Sequence, residues 1–428
     1  MSCIVSFREL DTCSETSITI RARILTYRIG RKFSFALLKG NNNKTIQAIV
    51  PLKLKSIFDI SPESILLVSG VLQKTPEPVK SADYKNVELY VSDFEIYNVA
   101  YPLPYLVKDT ETVDTQLRLS YPWLSHRSPY FQKIMRAKAL FLKSCRNYLD
   151  NNEFIEFQTP KIIPNASESG AEVFKLNYFG KEACLAQSPQ LYKQMLINSD
   201  YGRIYEIGPI FRAENSLTNR HLCEFTGLDF EMTLDNDFTE IISMAWNMLY
   251  FAFNDLNGKF DIKVIIPKTP LMIHFKDGAK LLQERNVEQD PNGDISTSNE
   301  KLLGQIVKEK YGSDLFVLTN YPKSIRPFYT KECENDPIYT NSFDIILRGI
   351  EISSGAQRID NPIELINNIE SKGIDSRTLK EYINSFHYGS WPHGGCGFGV
   401  ERVIACFLNL NSVHMGSYCP RTPTRVEP

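Results

Sequence analysis

The sequence predicts an α+β protein built from two domains, a small closed β-barrel and a larger domain in which helices alternate with strands. Two observations predict this division. Five short strand-like runs fall within the first 105 residues, and amphipathic helical periodicity begins only at Tyr130. The chain also has 428 residues, more than one ordinary hydrophobic core accommodates. We therefore expect a domain at 1–105, a hinge at 106–128 and a second domain at 129–428.

The five runs of the first domain alternate polar and apolar side chains or are rich in β-branched residues. Turn-forming residues separate them, including Gly30, the Gly-Asn-Asn-Asn run at 40–43 and Pro-Glu-Pro at 76–78. Five strands in about 100 residues are typical of a closed barrel of the OB type. The runs are 17–25, 33–38, 45–50, 64–71 and 87–96.

The barrel region is slightly basic, although the whole chain is not. Residues 1–105 contain 13 lysines and arginines and 10 aspartates and glutamates, a net charge of +3, whereas the formal net charge of the chain is -2. This difference favours a polyanionic partner that is bound by local basic surfaces.

The second domain begins with a helix predicted over 130–149, where apolar residues recur at three- and four-residue spacing. Asn151 and Asn152 end this helix, and a strand follows at 154–159 before Pro160. The polar stretch 289–300 is predicted to be an exposed loop that precedes a helix at 301–310.

Composition excludes several classes of protein. The nine cysteines are an odd number without CxxC spacing, which predicts neither a zinc site nor a disulfide framework. No basic stretch followed by an apolar run opens the sequence, and no window approaches about 18 uninterrupted apolar residues. We therefore expect a cytoplasmic protein without a membrane partner.

The first chemical motif is a pair of strand-like runs, 205–211 and 224–232, around a polar loop. Neither a GxxxxGK[ST] loop nor a GxGxxG turn occurs elsewhere. The motif closely resembles motif 2 of the class II aminoacyl-tRNA synthetases, which implies ATP binding. An arginine can direct two donors at a phosphate, and an aromatic ring can stack on adenine. The implied ATP ligands are Arg212, Glu214, Arg220, His221 and Phe225.

The second motif is glycine-rich and runs from His393 into an apolar helix. Four glycines within 394–399 allow close approach of a ligand to the backbone, and Arg402 follows in the first turns of the helix. The segment resembles motif 3 of the same class. The resemblance implies that Gly399 and Arg402 bind ATP, and that Arg402 and Arg212 are the catalytic residues.

The helix at 130–149 and the strand that ends in Phe-Gln-Thr-Pro resemble motif 1, the dimer element of the class. This implies a homodimer with Pro160 at its interface. Together the three motifs imply that the second domain is a class II catalytic domain, an antiparallel sheet flanked by helices.

A candidate magnesium site lies between motifs 2 and 3. Asp344 and Glu351 are seven residues apart, so in one strand their side chains would lie on opposite faces. A turn or bulge near Gly349 is therefore needed for both carboxylates to reach one ion. By resemblance, Asp344, Glu351 and Ser354 occupy the metal positions, and Glu351 also belongs to the ATP site. Such oxygen donors suit Mg²⁺ bound to ATP.

The sequences EFTGLDFEM at 224–232 and QSPQLYKQ at 187–194 resemble the aspartyl-tRNA synthetases of archaea and eukaryotes. The likeness implies that two cations, Lys193 and Arg358, receive the side-chain carboxylate of L-aspartate. Two buried cations would repel lysine and stay unpaired with asparagine. Two carboxylates, Glu168 and Asp229, would bind the α-ammonium group. The further implied aspartate ligands are Gln190, Ser354, Gly394 and Gly395.

The family resemblance extends over nearly the whole chain, including the barrel. It implies that the barrel reads the anticodon of tRNA(Asp), because single-stranded bases need aromatic platforms and polar groups. The implied anticodon ligands are Arg28, Phe35, Gln47 and Glu88. The implied reaction consumes ATP to form aspartyl-adenylate and transfers the aspartyl group to the 3′ end of the tRNA.

Three other functions remain open at this stage: an asparaginyl or relaxed-specificity synthetase, an asparagine synthetase on the same core, and an inactive RNA-binding relative. Individual residues also have simpler interpretations. Arg212 and Glu214 could form a surface ion pair, the glycine run could only begin a helix, and His221 could be structural. Equally, Lys193 could be a solvated helix residue, Phe35 a core residue of the barrel and Asp344 a turn former.

Overall fold

The structure, a computed structural model, describes residues 4–10, 17–164, 173–216 and 218–428. The chain divides into two compact units, Met1–Leu106 and Val107–Pro428.

Unit 1 contains five strands: β1 (Ser17–Arg28), β2 (Phe33–Lys39), β3 (Thr45–Pro51), β4 (Ile65–Lys74) and β5 (Val87–Asn98). They form a closed sheet in the order β1-β2-β3-β5-β4, in which β4 also pairs with β1. Among these five strands, β3 and β5 pair in parallel and the other neighbours pair antiparallel. Every strand predicted from the sequence is present. Alternate side chains of the strands point inwards and form one core.

Unit 2 contains ten α-helices among the residues that the structure describes. They are α1 (Thr115–Ser120), α2 (Pro122–Ser125), α3 (Pro129–Asp150), α4 (Gln190–Ile197), α5 (Thr239–Lys259), α6 (Phe275–Gln283), α7 (Thr297–Tyr311), α8 (Pro362–Ser371), α9 (Lys380–Phe386) and α10 (Val400–Leu408). Short 3-10 helices lie at Phe7–Glu9 and Leu52–Asp59 in unit 1, and at Val107–Asp109, Lys323–Ile325, Ser376–Leu379 and Val413–Gly416 in unit 2.

The strands of unit 2 form one eight-stranded sheet and two small ones. They are β6 (Ile155–Glu156), β7 (Ile162–Ile163), β8 (Lys175–Tyr178), β9 (Lys181–Leu185), β10 (Arg203–Phe211), β11 (Glu224–Thr233), β12 (Met272–His274), β13 (Leu315–Thr319), β14 (Glu332–Cys333), β15 (Asp336–Thr340), β16 (Ser342–Leu347), β17 (Ile350–Gln357) and β18 (His393–Gly399).

The large sheet has the order β12-β13-β16-β17-β18-β11-β10-β6. Its six central strands pair antiparallel, and only the two edge strands, β12 and β6, pair in parallel with their neighbours. The strand predicted at 154–159 is present but covers only Ile155–Glu156. The antiparallel sheet implied by the family resemblance is therefore observed, with helices packed against it.

The side chains of β11 show how this sheet separates a core from a site. Leu228 and Phe230 point into the main core, where α3, α5 and α10 pack against the sheet. Gly227 and Asp229 alternate with them and line a cavity on the opposite face. The two-residue period of the strand thus places polar groups in the cavity and apolar groups in the core.

Within the predicted hinge at 106–128, residues 107–128 belong to unit 2 and contain α1 and α2. Asp114 caps α1 by accepting hydrogen bonds from the backbone amides of Gln116 and Leu117. The guanidinium of Arg118 then lies 5.0 Å from the ring centroid of Phe131 in α3. These contacts stabilise a segment whose sequence shows no regular spacing of apolar residues.

The prediction of an exposed loop over 289–300 is wrong at its end. The side chain of Ser296 caps α7, which therefore begins at Thr297 instead of 301. Glu300 lies inside the helix and is only 9 % exposed. Its polar neighbours in the sequence conceal this burial, since the contacts that cover it come from distant segments.

None of the helices in the described ranges is long and apolar enough to cross a membrane. The cysteines within those ranges are free thiols, and most are buried. Burial raises the pKa of the Cys396 and Cys406 thiols to about 12 in each case.

Candidate active site

The cavity of unit 2 has a volume of about 370 Å³ and opens beside the central strands β10, β11, β17 and β18. Its walls combine residues from Gln187 to Val413, which are far apart in the sequence. Most of the predicted site residues line it: Gln190, Arg212, Glu214, Arg220, His221, Phe225, Asp229, Glu351, Ser354, Arg358, Gly399 and Arg402. Motifs that are separate in the sequence therefore converge on one site.

Four predicted ligands of the catalytic unit, Lys193, Asp344, Gly394 and Gly395, are not among the residues that line this cavity. Glu168 lies outside the described residues. The role predicted for Glu168 therefore stays a prediction.

Arg212 follows the end of β10 and faces an aromatic ring. Its guanidinium carbon lies 5.6 Å from the ring centroid of Phe225 on the paired strand β11. The Nη1 atom is 4.0 Å from Oε1 of Glu214, a long separation for an ion pair. Both side chains line the cavity, so this pair belongs to the site and not to an unrelated surface.

Arg402 projects from the first turn of α10 towards β17. Its Nη1 atom donates to the carbonyl oxygen of Glu351 at 3.1 Å and lies 3.7 Å from the Glu351 carboxylate. Gly399 precedes the helix and lines the same cavity. The glycine run therefore does more than begin a helix, because it borders the cavity into which Arg402 points.

His221 accompanies the arginines in the loop between β10 and β11. Its Nδ1 atom lies 2.6 Å from the hydroxyl of Thr218, and Nε2 lies 3.9 Å from Glu214. Burial lowers the pKa of His221, and the nearby Arg402, Arg220 and Arg212 lower it further against the effect of Glu214. A neutral imidazole in the cavity can donate or accept one hydrogen bond without adding charge.

The predicted turn near Gly349 is confirmed. Arg348 and Gly349 form the turn between β16 and β17 with φ values of 52° and 73°, and the register shifts between Ile345 and Ile346. Asp344 is thereby paired with Ser354 across the hairpin. It lies within a strand, so its interpretation as a turn former is wrong.

Arg326, which the motifs do not include, covers the Asp344 carboxylate. Its Nη2 atom lies 2.9 Å from Oδ1 of Asp344, and its Nη1 atom donates to the Ser354 hydroxyl at 3.0 Å. The Asp344 Oδ1 atom is buried and lacks a partner with hydrogen-bond geometry. Burial raises the pKa of Asp344, Arg326 opposes this shift, and Glu351 adds to it. The carboxylates of Asp344 and Glu351 and the hydroxyl of Ser354 are hard oxygen donors of the kind that fits Mg²⁺.

A buried charge cluster lies at the cavity wall that contains Asp229 and Arg358. Lys193 is 2 % exposed, which excludes a solvated helix residue, and its Nζ atom lies 3.2 Å from Asp229 and 3.1 Å from Glu231. Arg358 lies 2.7 Å from the same Glu231 carboxylate. Burial raises the pKa of Glu231, but Arg358 and Lys193 outweigh it, so the net shift is downwards.

This cluster corrects the specificity argument made from the sequence. Lys193 and Arg358 were expected to present two cations to a ligand, yet Glu231 bridges them and Asp229 contacts Lys193. Of the two cations only Arg358 lines the cavity. Repulsion by a pair of uncompensated cations is therefore not a feature of this pocket. Glu231 itself was missed, although it stands two residues after Asp229 and so shares its strand face.

Gly394 and Gly395 pack against neighbouring strands. A Cβ on Gly395 would lie 2.0 Å from the carbonyl oxygen of Phe230, which explains why only glycine fits. The carbonyl oxygen of Gly395 accepts a 2.9 Å hydrogen bond from Arg358. Gln190, in contrast, lines the cavity with a buried side-chain nitrogen that has no hydrogen-bond partner, so a ligand oxygen would satisfy it.

The predicted anticodon residues cluster on the outer surface of the barrel in unit 1. The Arg28 guanidinium lies 5.0 Å from the ring centroid of Phe35. Gln47 donates to the Glu88 carboxylate and accepts from the Ser81 hydroxyl at 3.1 Å. Phe35 is half-buried and lies outside the barrel core, so its interpretation as a core residue is wrong.

Pro160 follows the edge strand β6 and is exposed. Apolar side chains of neighbouring segments are exposed as well, notably Ile155, Ile162, Tyr178 and Phe179. An uncovered sheet edge with exposed apolar groups is a common site of subunit contact.

The fold and the site can be compared with known proteins. A sequence model of the family described as tRNA synthetases class II (D, K and N) matches residues 114–423. Together with the antiparallel sheet and the arginine-lined cavity, this match defines the class of the protein as a class II tRNA synthetase.

Relatives of this chain define the family more narrowly. A cytoplasmic aspartate–tRNA ligase of Mus musculus is 39 % identical over 96 % of this chain and 88 % of its own length. The aspartyl-tRNA synthetase of Entamoeba histolytica has a TM-score of 0.89 at 32 % identity, covering 100 % of this chain and 93 % of that one. The chain belongs to the aspartate–tRNA ligase family.

An asparaginyl-tRNA synthetase shares the same architecture. The enzyme of Pyrococcus horikoshii, solved with asparaginyl-adenylate, has a TM-score of 0.88 at 27 % identity and covers 100 % of both chains. The shape of the fold therefore does not separate the two specificities.

Proposed function

We propose that this protein is an aspartate–tRNA ligase that activates L-aspartate with ATP and transfers the aspartyl group to tRNA(Asp). The observation that carries the proposal is that Arg212, Phe225 and Arg402 share one cavity with Arg358 and Asp229. The first three suit a nucleotide, and the last two suit an amino acid with a second carboxylate. Class II synthetases use ATP, and the relatives from Mus musculus and Entamoeba histolytica are aspartate enzymes.

In the first step, an oxygen of the aspartate α-carboxylate attacks the α-phosphorus of ATP. The bond between this phosphorus and the bridging oxygen breaks, and pyrophosphate leaves. The carboxylate is already ionised at neutral pH, so no enzymic base is needed. We assign Arg212 to the α-phosphate and Arg402 to the γ-phosphate and adenine, where they neutralise charge in the transition state.

The remaining ATP ligands in the proposal are Glu214, Arg220, His221, Phe225, Glu351 and Gly399. Asp344, Glu351 and Ser354 would hold Mg²⁺ on the phosphates, where the ion would supply charge neutralisation. No three His, Cys, Asp or Glu side chains converge as a metal site within the described ranges. Phosphate oxygens of ATP would therefore have to complete the coordination.

For the amino acid, Arg358 is proposed to bind the side-chain carboxylate and Asp229 the α-ammonium group. Lys193 acts from behind the wall through its contacts with Asp229 and Glu231. Gln190 and Ser354 line the same pocket. Glu168, Gly394 and Gly395 are kept as predicted aspartate ligands.

In the second step, the 3′-hydroxyl of the terminal adenosine of the tRNA attacks the carbonyl carbon of aspartyl-adenylate. An ester forms, and AMP leaves. The barrel of unit 1 is proposed to be an OB-fold that binds the anticodon through Arg28, Phe35, Gln47 and Glu88. Its aromatic ring and polar groups support base stacking and edge recognition.

A homodimer in the cytoplasm completes the proposal. The exposed apolar groups beside β6 and Pro160 support a two-fold contact, and the relatives named above include a cytoplasmic enzyme. Light scattering coupled to gel filtration would give twice the chain mass of 49.0 kDa. A mass of one chain would exclude the homodimer.

Aminoacylation with labelled aspartate tests the function directly. Transcripts of tRNA(Asp) and tRNA(Asn) would be offered separately to the purified protein, with labelled asparagine in parallel. Charging of tRNA(Asp) with aspartate supports the proposal, whereas charging with asparagine supports the asparaginyl alternative. Free asparagine as product would indicate the asparagine synthetase alternative, and tRNA binding without any charging would indicate the inactive RNA-binding relative.

A further inference from the structure

Helix α7 touches the turn between β16 and β17 through two glycines. A Cβ on Gly304 would lie 2.4 Å from the Cα atom of Gly349, and a Cβ on Gly349 would lie 2.7 Å from the Cα atom of Lys301. Gly349 also has a positive φ of 73°, which other residues rarely adopt. The two backbones are therefore in direct contact, which fixes the position of α7 against the start of β17.

Glu300 lies one helical turn before Gly304 and shares its face of α7. This placement brings its carboxylate to the start of β17, where the backbone amide of Glu351 donates to Oε1. Its other oxygen, Oε2, accepts from Nη2 of Arg220 at 2.9 Å. One buried carboxylate thus joins α7 to the strand and to the loop between β10 and β11.

Both partners of Glu300 line the cavity, although Glu300 itself does not. Glu351 in turn accepts a hydrogen bond from Arg402 through its carbonyl oxygen. A continuous set of contacts therefore runs from Arg220 through Glu300 and Glu351 to Arg402. Arg220 lies in the loop between β10 and β11 and Arg402 lies in α10. Glu300 is the group that connects the supports of these two arginines.

We propose that Glu300 is a positioning residue of the ATP site, which holds the Arg220 guanidinium at the cavity wall before the nucleotide binds. The proposal rests on the proposed function only in taking ATP as the nucleotide. Arg220 is carried by a polar loop and has a flexible side chain, so an unanchored guanidinium would lose conformational entropy on binding phosphate. A fixed partner on α7 removes part of that loss.

The E300Q variant removes the negative charge of the residue 300 side chain but keeps its size and shape. Glutamine retains a carbonyl oxygen that can accept from the Glu351 amide, but it carries no negative charge for Arg220. We expect the Kd of Mg·ATP, measured by isothermal titration calorimetry, to rise about tenfold. The KM for aspartate should stay within about twofold, because Glu300 contacts no residue of the amino-acid pocket. E309Q on the exposed side of the same helix is the matched control and should leave both unchanged.

A double-mutant cycle tests whether the effect passes through Arg220. Adding E300Q to R220M should weaken ATP binding no further than R220M alone. An unchanged Kd in E300Q, or full additivity of the two substitutions, would overturn the inference. Equal weakening of ATP and aspartate binding together with a lower melting temperature would also overturn it, since that pattern indicates a merely structural residue. These binding data decide the inference even if the wild-type protein does not charge tRNA, which would disprove only the proposed function.

Discussion

Glu231 and Arg358 form an ion pair that is closed off from solvent, with Nε of Arg358 2.7 Å from Oε1 of Glu231. The same carboxylate lies 3.1 Å from Nζ of Lys193. Arg358 also lines the cavity, so one of its faces is held by Glu231 while another is open to a ligand. The part of the cavity wall at Arg358 therefore rests on a charge-balanced cluster, in which Glu231 and Asp229 offset Arg358 and Lys193.

Removal of the Glu231 charge should destabilise the fold. E231Q leaves Lys193 and Arg358 buried with fewer negative partners, and uncompensated buried charges are strongly unfavourable. We expect the free energy of unfolding, measured in urea, to fall by about 3 kcal/mol. As a control, E309Q removes the exposed partner of Arg285 and should lower it by less than about 1 kcal/mol. Equal losses in the two variants would show that burial of the Glu231 cluster does not matter.

The contribution of Glu231 should also depend on pH. Its pKa in the folded protein lies below the ordinary glutamate value of 4.5, so folding favours the ionised form. The stability that it contributes is therefore fully present above the unfolded pKa and is lost as the pH falls through the folded pKa. The difference in unfolding free energy between wild type and E231Q should stay constant from neutral pH down to the unfolded pKa and shrink below it. A difference that grows on acidification would contradict this sign.

Arg212 should affect the chemical step more than aspartate binding. R212K keeps a positive charge but loses the planar pair of donors that suits a phosphate. We expect kcat for pyrophosphate exchange to fall about 100-fold with little change in the KM for aspartate. R285K, an exposed arginine paired with Glu309, serves as the matched control. A rise in KM at constant kcat would assign Arg212 to substrate binding alone.

The barrel should act only in the tRNA step. F35A removes the ring beside Arg28, and loss of one stacked base corresponds to about 1–3 kcal/mol. The KM for tRNA(Asp) in aminoacylation should therefore rise about 10- to 100-fold, while exchange without tRNA stays unchanged. Y101A, an exposed aromatic residue of the same unit, is the control. A parallel loss of exchange activity would mean that Phe35 supports folding and not recognition.

Local patterns predicted the parts of the site that are continuous in sequence. The loop between β10 and β11, the glycine run and Arg402 line the cavity as expected. The odd spacing of Asp344 and Glu351 correctly predicted a turn between them, because residues seven positions apart in one strand lie on opposite faces. Glu231 could have been found by the same two-residue period, counted from Asp229.

Other parts depend on contacts that no local pattern contains. Glu300 is buried because two glycines 45 positions apart allow α7 to touch the turn at Gly349. Arg326 reaches Asp344 from a segment without a recognisable motif. The neutralisation of Lys193 likewise requires knowledge of which carboxylates fold beside it. The residue types at these positions reveal which side chains are charged, but only the tertiary structure determines which charged groups contact each other.

Pyrophosphate exchange into ATP, measured without tRNA in the presence of aspartate, asparagine or lysine, tests the central claim most directly. It isolates the adenylation step in the cavity that holds Arg212, Arg402 and Arg358. We predict exchange with aspartate and at least about 100-fold lower efficiency with asparagine and lysine. Of the three amino acids, only aspartate has a side-chain carboxylate that can pair with Arg358. Equal or greater exchange with asparagine, or none with any of the three, would contradict the assignment of this cavity to aspartate activation.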